Sequence, residues 1–166
     1  GQGVGASSKA ACDVLRDAVD ALEISNFSEK RLLKQQFAAL SRWQYGTDAW
    51  LEGLHVGGKP PRWLLLKNKA QMAQWHPDSG RFSFTKALLP TLRETATLRE
   101  IVISGTDKWR GDIFPAMVES ASADLRVGEE VLVIRDGELI GSARCMAAGW
   151  EWANGAGRLA KSQHRL

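Results

Sequence analysis

The sequence predicts an α+β chain in which helices and a small strand meander are followed by a compact β-barrel. Three observations carry that expectation. Apolar residues recur at helical spacing over 8–24 and 29–42, the pattern changes to short extended runs from Arg62, and after residue 100 only short strands separated by glycine-marked turns remain. A length of 166 residues, with 44% hydrophobic and 25% charged side chains, is enough for a core without disulfide or metal staples and excludes disordered, collagen-like and coiled-coil classes.

In order, residues 8–24 place Ala11, Val14 or Leu15, Ala18 and Leu22 on one face, with Ser8 able to cap the start. Ser28 followed by Glu29 opens a second helix over 29–42 with Leu32, Leu33, Phe37 and Leu40 as its apolar face. A helical turn is expected over 47–51. Gly57-Gly58-Lys59-Pro60-Pro61 reads as a loop, because glycine and proline remove helix propensity and backbone donors. Strands follow over 62–67, 70–75 and 81–84, with His76-Pro77-Asp78-Ser79-Gly80 as the tight connection. Thr85 is expected to cap a helix through Leu89-Pro90-Thr91-Leu92, with Pro90 in its first turn or at a kink. A domain boundary is expected within 94–100. The final strands are expected over 101–104, 113–119, 130–135, 138–146 and 158–165. Asp136-Gly137 is the strongest hairpin signal, since a type I′ turn needs positive φ at both central positions. Closing several short strands into a barrel removes exposed edges. The expected division is an N-terminal helix over 1–24, a small α+β domain over 25–96 and a barrel over 97–166.

The net charge of +3 is unevenly spread: residues 1–23 have a balance of −2, residues 24–106 of +6, and residues 107–166 of −1. A localised basic surface suits a polyanionic partner, because each neutralised phosphate releases counterions. The longest apolar runs, such as 63–66, fall far short of the ~20 residues of a membrane helix, so no membrane partner is expected. The start, Gly1-Gln2-Gly3-Val4-Gly5, has no initiator Met and no signal-peptide pattern, which predicts processing or truncation rather than secretion. Cys12 and Cys145 have no Cys-x-x-Cys spacing, so reduced thiols and a cytoplasmic location are expected, without a metal or cofactor.

Catalytic signatures are weak. Ser104 and Ser142 have no nucleophile elbow, and His55, His76 and His164 are scattered without metal-ligand spacing. The seven tryptophans are the unusual feature. Most should be core, but Trp109 lies within Lys108-Trp109-Arg110-Gly111, and Trp150 and Trp152 lie in a glycine-bounded loop. An aromatic face flanked by cations can stack an unpaired base while attracting its phosphate. For Trp109 a barrel-capping hydrophobe is the equal alternative. Lys59, Arg62, Lys67 and Lys69 form a second basic cluster, which strand alternation cannot place on one face.

The stretch Asp124-Leu125-Arg126-Val127-Gly128-Glu129-Glu130-Val131-Leu132-Val133-Ile134, followed by Asp136-Gly137-Glu138-Leu139-Ile140-Gly141-Ser142-Ala143-Arg144, resembles the core of a PUA domain, a small RNA-binding pseudo-barrel. Gly157-Arg158-Leu159-Ala160-Lys161-Ser162-Gln163-His164-Arg165 is similar to its closing basic strand. The middle block resembles the small domain that precedes PUA in archaeal tRNA-guanine transglycosylases and archaeosine synthase. Its matching words are Trp43-Gln44-Tyr45-Gly46, Gly58-Lys59 with Arg62-Trp63, and Asp78-Ser79-Gly80-Arg81-Phe82-Ser83-Phe84-Thr85. The catalytic barrel of those enzymes has no counterpart here, and the segment between Ile103 and Gly111 is short for the usual first PUA helix.

The resemblance implies RNA contacts at Lys108, Arg110, Gly111, Arg144, Arg158, Lys161 and Arg165. Trp109, Trp150 and Trp152 join them as stacking candidates, and Lys59 and Arg62 as a second basic contact. It further implies a tRNA-binding module of an archaeal-type RNA-modification system, gripping the acceptor arm and 3′ end for a catalytic subunit or domain elsewhere. Two alternatives stand beside it: a protein-interaction adaptor in RNA or ribosome maturation, and a stand-alone tRNA-modification enzyme using Asp78 or Asp112.

Overall fold

In the computed structural model the described residues are 10, 12–14, 16, 17, 28–105, 109–152 and 156–166. Of the helix expected over 8–24, the residues that are described are helical, and the rest lie outside the described set. Among the described residues no helix is long and apolar enough to cross a membrane.

The first full helix, α1, runs Glu29–Tyr45. Ser28 caps it by accepting from the Arg31 N–H at 3.3 Å, and Gly46, at φ 78°, ends it with a bond from its N–H to the Arg42 carbonyl. Phe37 and Ser41 face the core, while Leu32, expected on the apolar face, is exposed. Ser41 accepts from the Trp50 indole N–H and donates to the Thr47 carbonyl, both at 2.6 Å. These bonds pin the 3-10 turn Ala49–Leu51 beneath the helix.

The first sheet is an antiparallel meander of β1 (His55–Lys59), β2 (Arg62–Lys67), β3 (Ala70–His76) and β4 (Arg81–Phe84). The loop expected over 57–61 is corrected here: Gly57, Gly58 and Lys59 pair with Leu64, Trp63 and Arg62. Glycine fits because a Cβ on Gly57 would stand 2.5 Å from Leu66 Cδ1, and the prolines occupy the hairpin tip, where the ladder asks for no donor. Phe82 and Phe84 of β4 meet Trp50 edge-on at ring distances of 5.3 and 5.2 Å. Thr85 does not cap the following helix. Its hydroxyl bonds back to the Met72 carbonyl at 3.0 Å, and a 3-10 turn, Lys86–Leu88, leads into α2 (Leu89–Glu94) with Pro90 in the first turn.

The second sheet has the order β6-β5-β7-β8-β9, built from β5 (Glu100–Ile103), β6 (Val118–Ser120), β7 (Glu130–Arg135), β8 (Glu138–Cys145) and β9 (Ala160–Arg165). The Asp136-Gly137 turn joins β7 to β8 with φ of 51° and 78°. The single strand expected over 113–119 is instead broken by a 3-10 turn, Pro115–Met117. Ile113, before the break, bridges to Ala160 in β9, and Val118–Ser120, after it, pairs with β5. One short segment thus joins both edges of the sheet and closes it into a barrel.

β7 is buried on both faces. Val131 and Val133 point into the barrel with Ile101, Ile113, Ala143 and Cys145, whereas Leu132 and Ile134 join Trp50, Leu65, Phe84 and Leu92 in the first core. The continuous apolar run of this strand is what double-sided burial demands, and it makes β7 the shared wall of the two halves.

Candidate nucleic-acid interface

Among the expected contact residues, the barrel brings together the corner at Arg110 and Gly111 and strand β9. The connection is Asp112, whose Oδ2 accepts from Arg158 Nη1 at 2.9 Å and whose Oδ1 accepts from the Ser162 N–H at 3.1 Å. The hydrogen bond from Arg158, then that from Ser162, holds the Asp112 carboxyl below its ordinary value of 3.8. The backbone bridge between Ile113 and Ala160 fixes the corner from beneath. Arg110 is exposed, and at Gly111 nothing lies within 4 Å of where a Cβ would stand, so a ligand backbone has room to approach.

Lys161 is exposed and stands opposite Arg144 in the β8–β9 ladder, and Arg144 stands opposite Glu130 in the β7–β8 ladder. A row of one buried carboxylate and two cations therefore crosses three strands. Arg144 Nη2 lies 3.9 Å from Glu130, and Ser142 donates to Glu130 at 2.8 Å. Burial nevertheless dominates and pushes the Glu130 carboxyl above 4.5. Arg165 stands opposite Gly141 and, with Trp109 and Arg135, lines a small pocket of about 70 Å³.

The three aromatic candidates separate. Trp109 is 6% exposed and packs over Gly141, so it is the barrel-capping hydrophobe and presents no face for stacking. Trp152 is 4% exposed, with its indole N–H on the Ala147 carbonyl at 3.1 Å, and it too belongs to the barrel core. Both corrections have one cause: a small barrel needs large apolar plugs at its ends. Trp150 is 71% exposed in the 3-10 turn Gly149–Glu151. Lys108 lies outside the described residues. Lys59 and Arg62 are exposed register partners at the tip of the β1–β2 hairpin, in the first sheet and not in the sheet that contains β9. Asp78 is exposed in the turn before β4.

A second feature escaped the sequence reading. A cleft of about 980 Å³ opens between the end of α1, the β3–β4 turn, residues 96–99 and residues 126–130. It gathers Trp43, Tyr45, Arg81, Arg99, Arg126 and Arg144 from five separate stretches of the chain. Its walls are tied together: Arg81 donates to the Gly128 carbonyl at 2.5 Å, Arg99 to Asp124 at 2.7 Å and Glu129 at 2.9 Å, and Gln44 to the Gly80 carbonyl at 2.6 Å. Burial, followed by the charge of Glu130, pushes the Tyr45 hydroxyl up to about 12, so it stays a neutral donor. The one available signal was Trp43, a large apolar residue off the Leu33, Phe37 and Leu40 stripe of its helix.

No family model matches the chain, and no curated protein matches it. Among solved structures it is similar to a protein of unknown function, at 18% identity over 92% of this chain and 53% of that one, with a TM-score of 0.69. It is similar also to a conserved PUA domain protein from Thermoplasma acidophilum, at 18% identity over 84% of this chain and 91% of that one, with a TM-score of 0.58. A hypothetical protein from the hyperthermophilic archaeon Pyrococcus horikoshii follows, at 14% identity over 80% of this chain and 89% of that one, with a TM-score of 0.52. The chain spans about half the length of the first of these. The class defined by helices and two antiparallel-rich sheets, with one strand of the second sheet contributing to both cores, is α+β. Within that class the fold is of PUA type, a small α+β unit followed by a closed β pseudo-barrel.

Proposed function

We propose that the chain is an RNA-binding module that grips the acceptor arm and 3′ end of tRNA, on behalf of a modification enzyme whose catalytic centre lies on another segment or subunit. The observation that carries this reading is the Asp112 clamp. It fastens the corner at Arg110 and Gly111 onto β9 beside Arg158, and it leaves Arg110 and Lys161 exposed next to an open glycine. Phosphates need cations held at fixed spacing, and bases need backbone that can be approached closely; this corner offers both. Recognition suits Asp112 better than turnover, since a carboxylate held ionised by Arg158 and the Ser162 N–H, with a hydrogen bond on each oxygen, is a weak base.

The test is binding of the purified chain to unmodified tRNA, with and without its single-stranded 3′ end, at two salt concentrations. Tight binding that weakens with salt and with removal of the 3′ end is expected. Lys161→Glu should lower the affinity and reduce the slope of log K against log salt by about 1. Absence of wild-type binding at low salt, or a Lys161→Glu variant with unchanged affinity and slope, would overturn the reading and return attention to the adaptor alternative.

A further inference from the structure

The cleft between α1 and the barrel has the composition of a site for an unpaired nucleotide. We propose that it holds one, with the base laid on Trp43 and the phosphate at Arg126, as the continuation of a strand that crosses Lys161 and Arg144. This rests on the RNA-binding reading but concerns residues outside the β9 face.

Four arginines line the cleft against two carboxylates, Glu129 and Glu130. Three of the four are engaged: Arg81 on the Gly128 carbonyl, Arg99 on Asp124 and Glu129, and Arg144 beside Glu130. Those three build the walls. The guanidinium of Arg126 is exposed, with the charge of Asp124 near it but no side-chain hydrogen bond among the described residues, while its own backbone N–H is fixed by Glu129 at 3.0 Å. It can therefore turn to a phosphate.

Trp43 is 81% exposed in the last turn of α1, so its indole face is open to a ligand. The neighbouring Gln44 ties that turn to the Gly80 carbonyl, which keeps the platform in place. Exposed Val127, next to Arg126 in the chain, adds apolar surface to the cleft. An acidic peptide would satisfy the arginines but leave the indole unused, whereas a nucleotide uses both. Base faces inside an A-form duplex are already stacked, so only an unpaired base can occupy Trp43. The volume, at the upper end of the range for small-ligand pockets, admits a short piece of single strand. The Glu130–Arg144–Lys161 row leads from this cleft to β9 and supplies the path between the two contacts.

The experiment measures binding of a labelled single-stranded RNA hexanucleotide and of a blunt RNA hairpin by fluorescence anisotropy, at two salt concentrations. Wild type, Trp43→Ala, Trp43→Phe, Arg126→Glu and Lys161→Glu are compared, each verified as folded by circular dichroism. Trp43→Ala should weaken the hexanucleotide by about 5- to 150-fold with an unchanged salt slope, because stacking is lost and no phosphate contact with it. Trp43→Phe should recover part of that loss. Arg126→Glu should reduce the slope for the hexanucleotide by about 0.7, the share of one single-strand phosphate.

A hexanucleotide affinity insensitive to Trp43→Ala, or no hexanucleotide binding by the wild type, overturns the cleft proposal even where hairpin binding still depends on Lys161. Hexanucleotide binding that depends on Trp43 alongside a hairpin that does not bind overturns the β9 reading and keeps the cleft. Binding of an acidic hexapeptide in place of the hexanucleotide also rejects the nucleotide.

Discussion

Leu132→Ala tests whether the two halves are one mechanical body, on which the geometry of the cleft depends. Leu132 belongs to β7, a barrel strand, yet its side chain is fully buried in the first core with Trp50, Leu65, Phe84 and Leu92. Its chain neighbours Val131 and Val133 lie in the barrel core. Truncating a fully buried leucine removes its transfer free energy and leaves a cavity, together about 2–5 kcal/mol. At roughly 2–4 °C per kcal/mol for a chain of this size, the melting temperature should fall by about 4–20 °C. Native-state hydrogen exchange supplies the discriminating assay. If both cores unfold as a unit, the slowest amides of β2 and β3 and those of β7 and β8 should lose protection by the same free energy. A loss confined to the amides of one sheet, or a calorimetric trace that splits into two transitions, would refute the shared-wall argument and leave the cleft as a gap between independent units.

Two further outcomes follow from single side chains. Burial raises the folded-state value of the Glu130 carboxyl above 4.5, so the folded protein binds the proton more tightly than the unfolded chain; stability associated with this group is present at low pH and is lost as pH rises from about 4.5 through the folded value. Glu130→Gln should therefore gain in urea midpoint relative to wild type between pH 4 and pH 8, and a variant that instead falls behind as pH rises would show that the Arg144 pairing outweighs burial. For Gly141→Ala, the new Cβ would overlap the His164 carbonyl oxygen and approach Trp109 Cζ3 to 2.8 Å. Overpacking of that kind costs about 1–3 kcal/mol, so thermal unfolding should move down by several degrees; an unchanged midpoint would mean that β9 is free to shift away from β8.

Features with a local cause were legible in the sequence. Ser28 and Gly46 bound α1 because a cap and a left-handed terminus are decided by a few adjacent residues, and Asp136-Gly137 announced its turn for the same reason. Features decided by a distant partner were not. Gly57 and Gly58 look like a breaker until Leu64 and Trp63 are placed opposite them, and the run from Ile113 to Ser120 looks like one strand until it must serve two sheet edges.

The charge pattern illustrates the same limit. Residues 107–166 carry a balance of −1, yet Arg110, Arg144, Arg158, Lys161 and Arg165 of the candidate interface all come from that segment. Four of its nine acids are engaged by the fold: Asp112 by Arg158 and the Ser162 N–H, Glu130 by burial beside Arg144, and Asp124 and Glu129 by Arg99 of the preceding segment. A segment sum counts every charge equally, whereas a polyanion meets only those that point outward without a partner. For Arg110, Arg126 and Lys161 that condition depends on which acids the fold has already claimed. The surface these residues offer is therefore a tertiary property, and its test lies in salt slopes, which count the cations that a phosphate reaches.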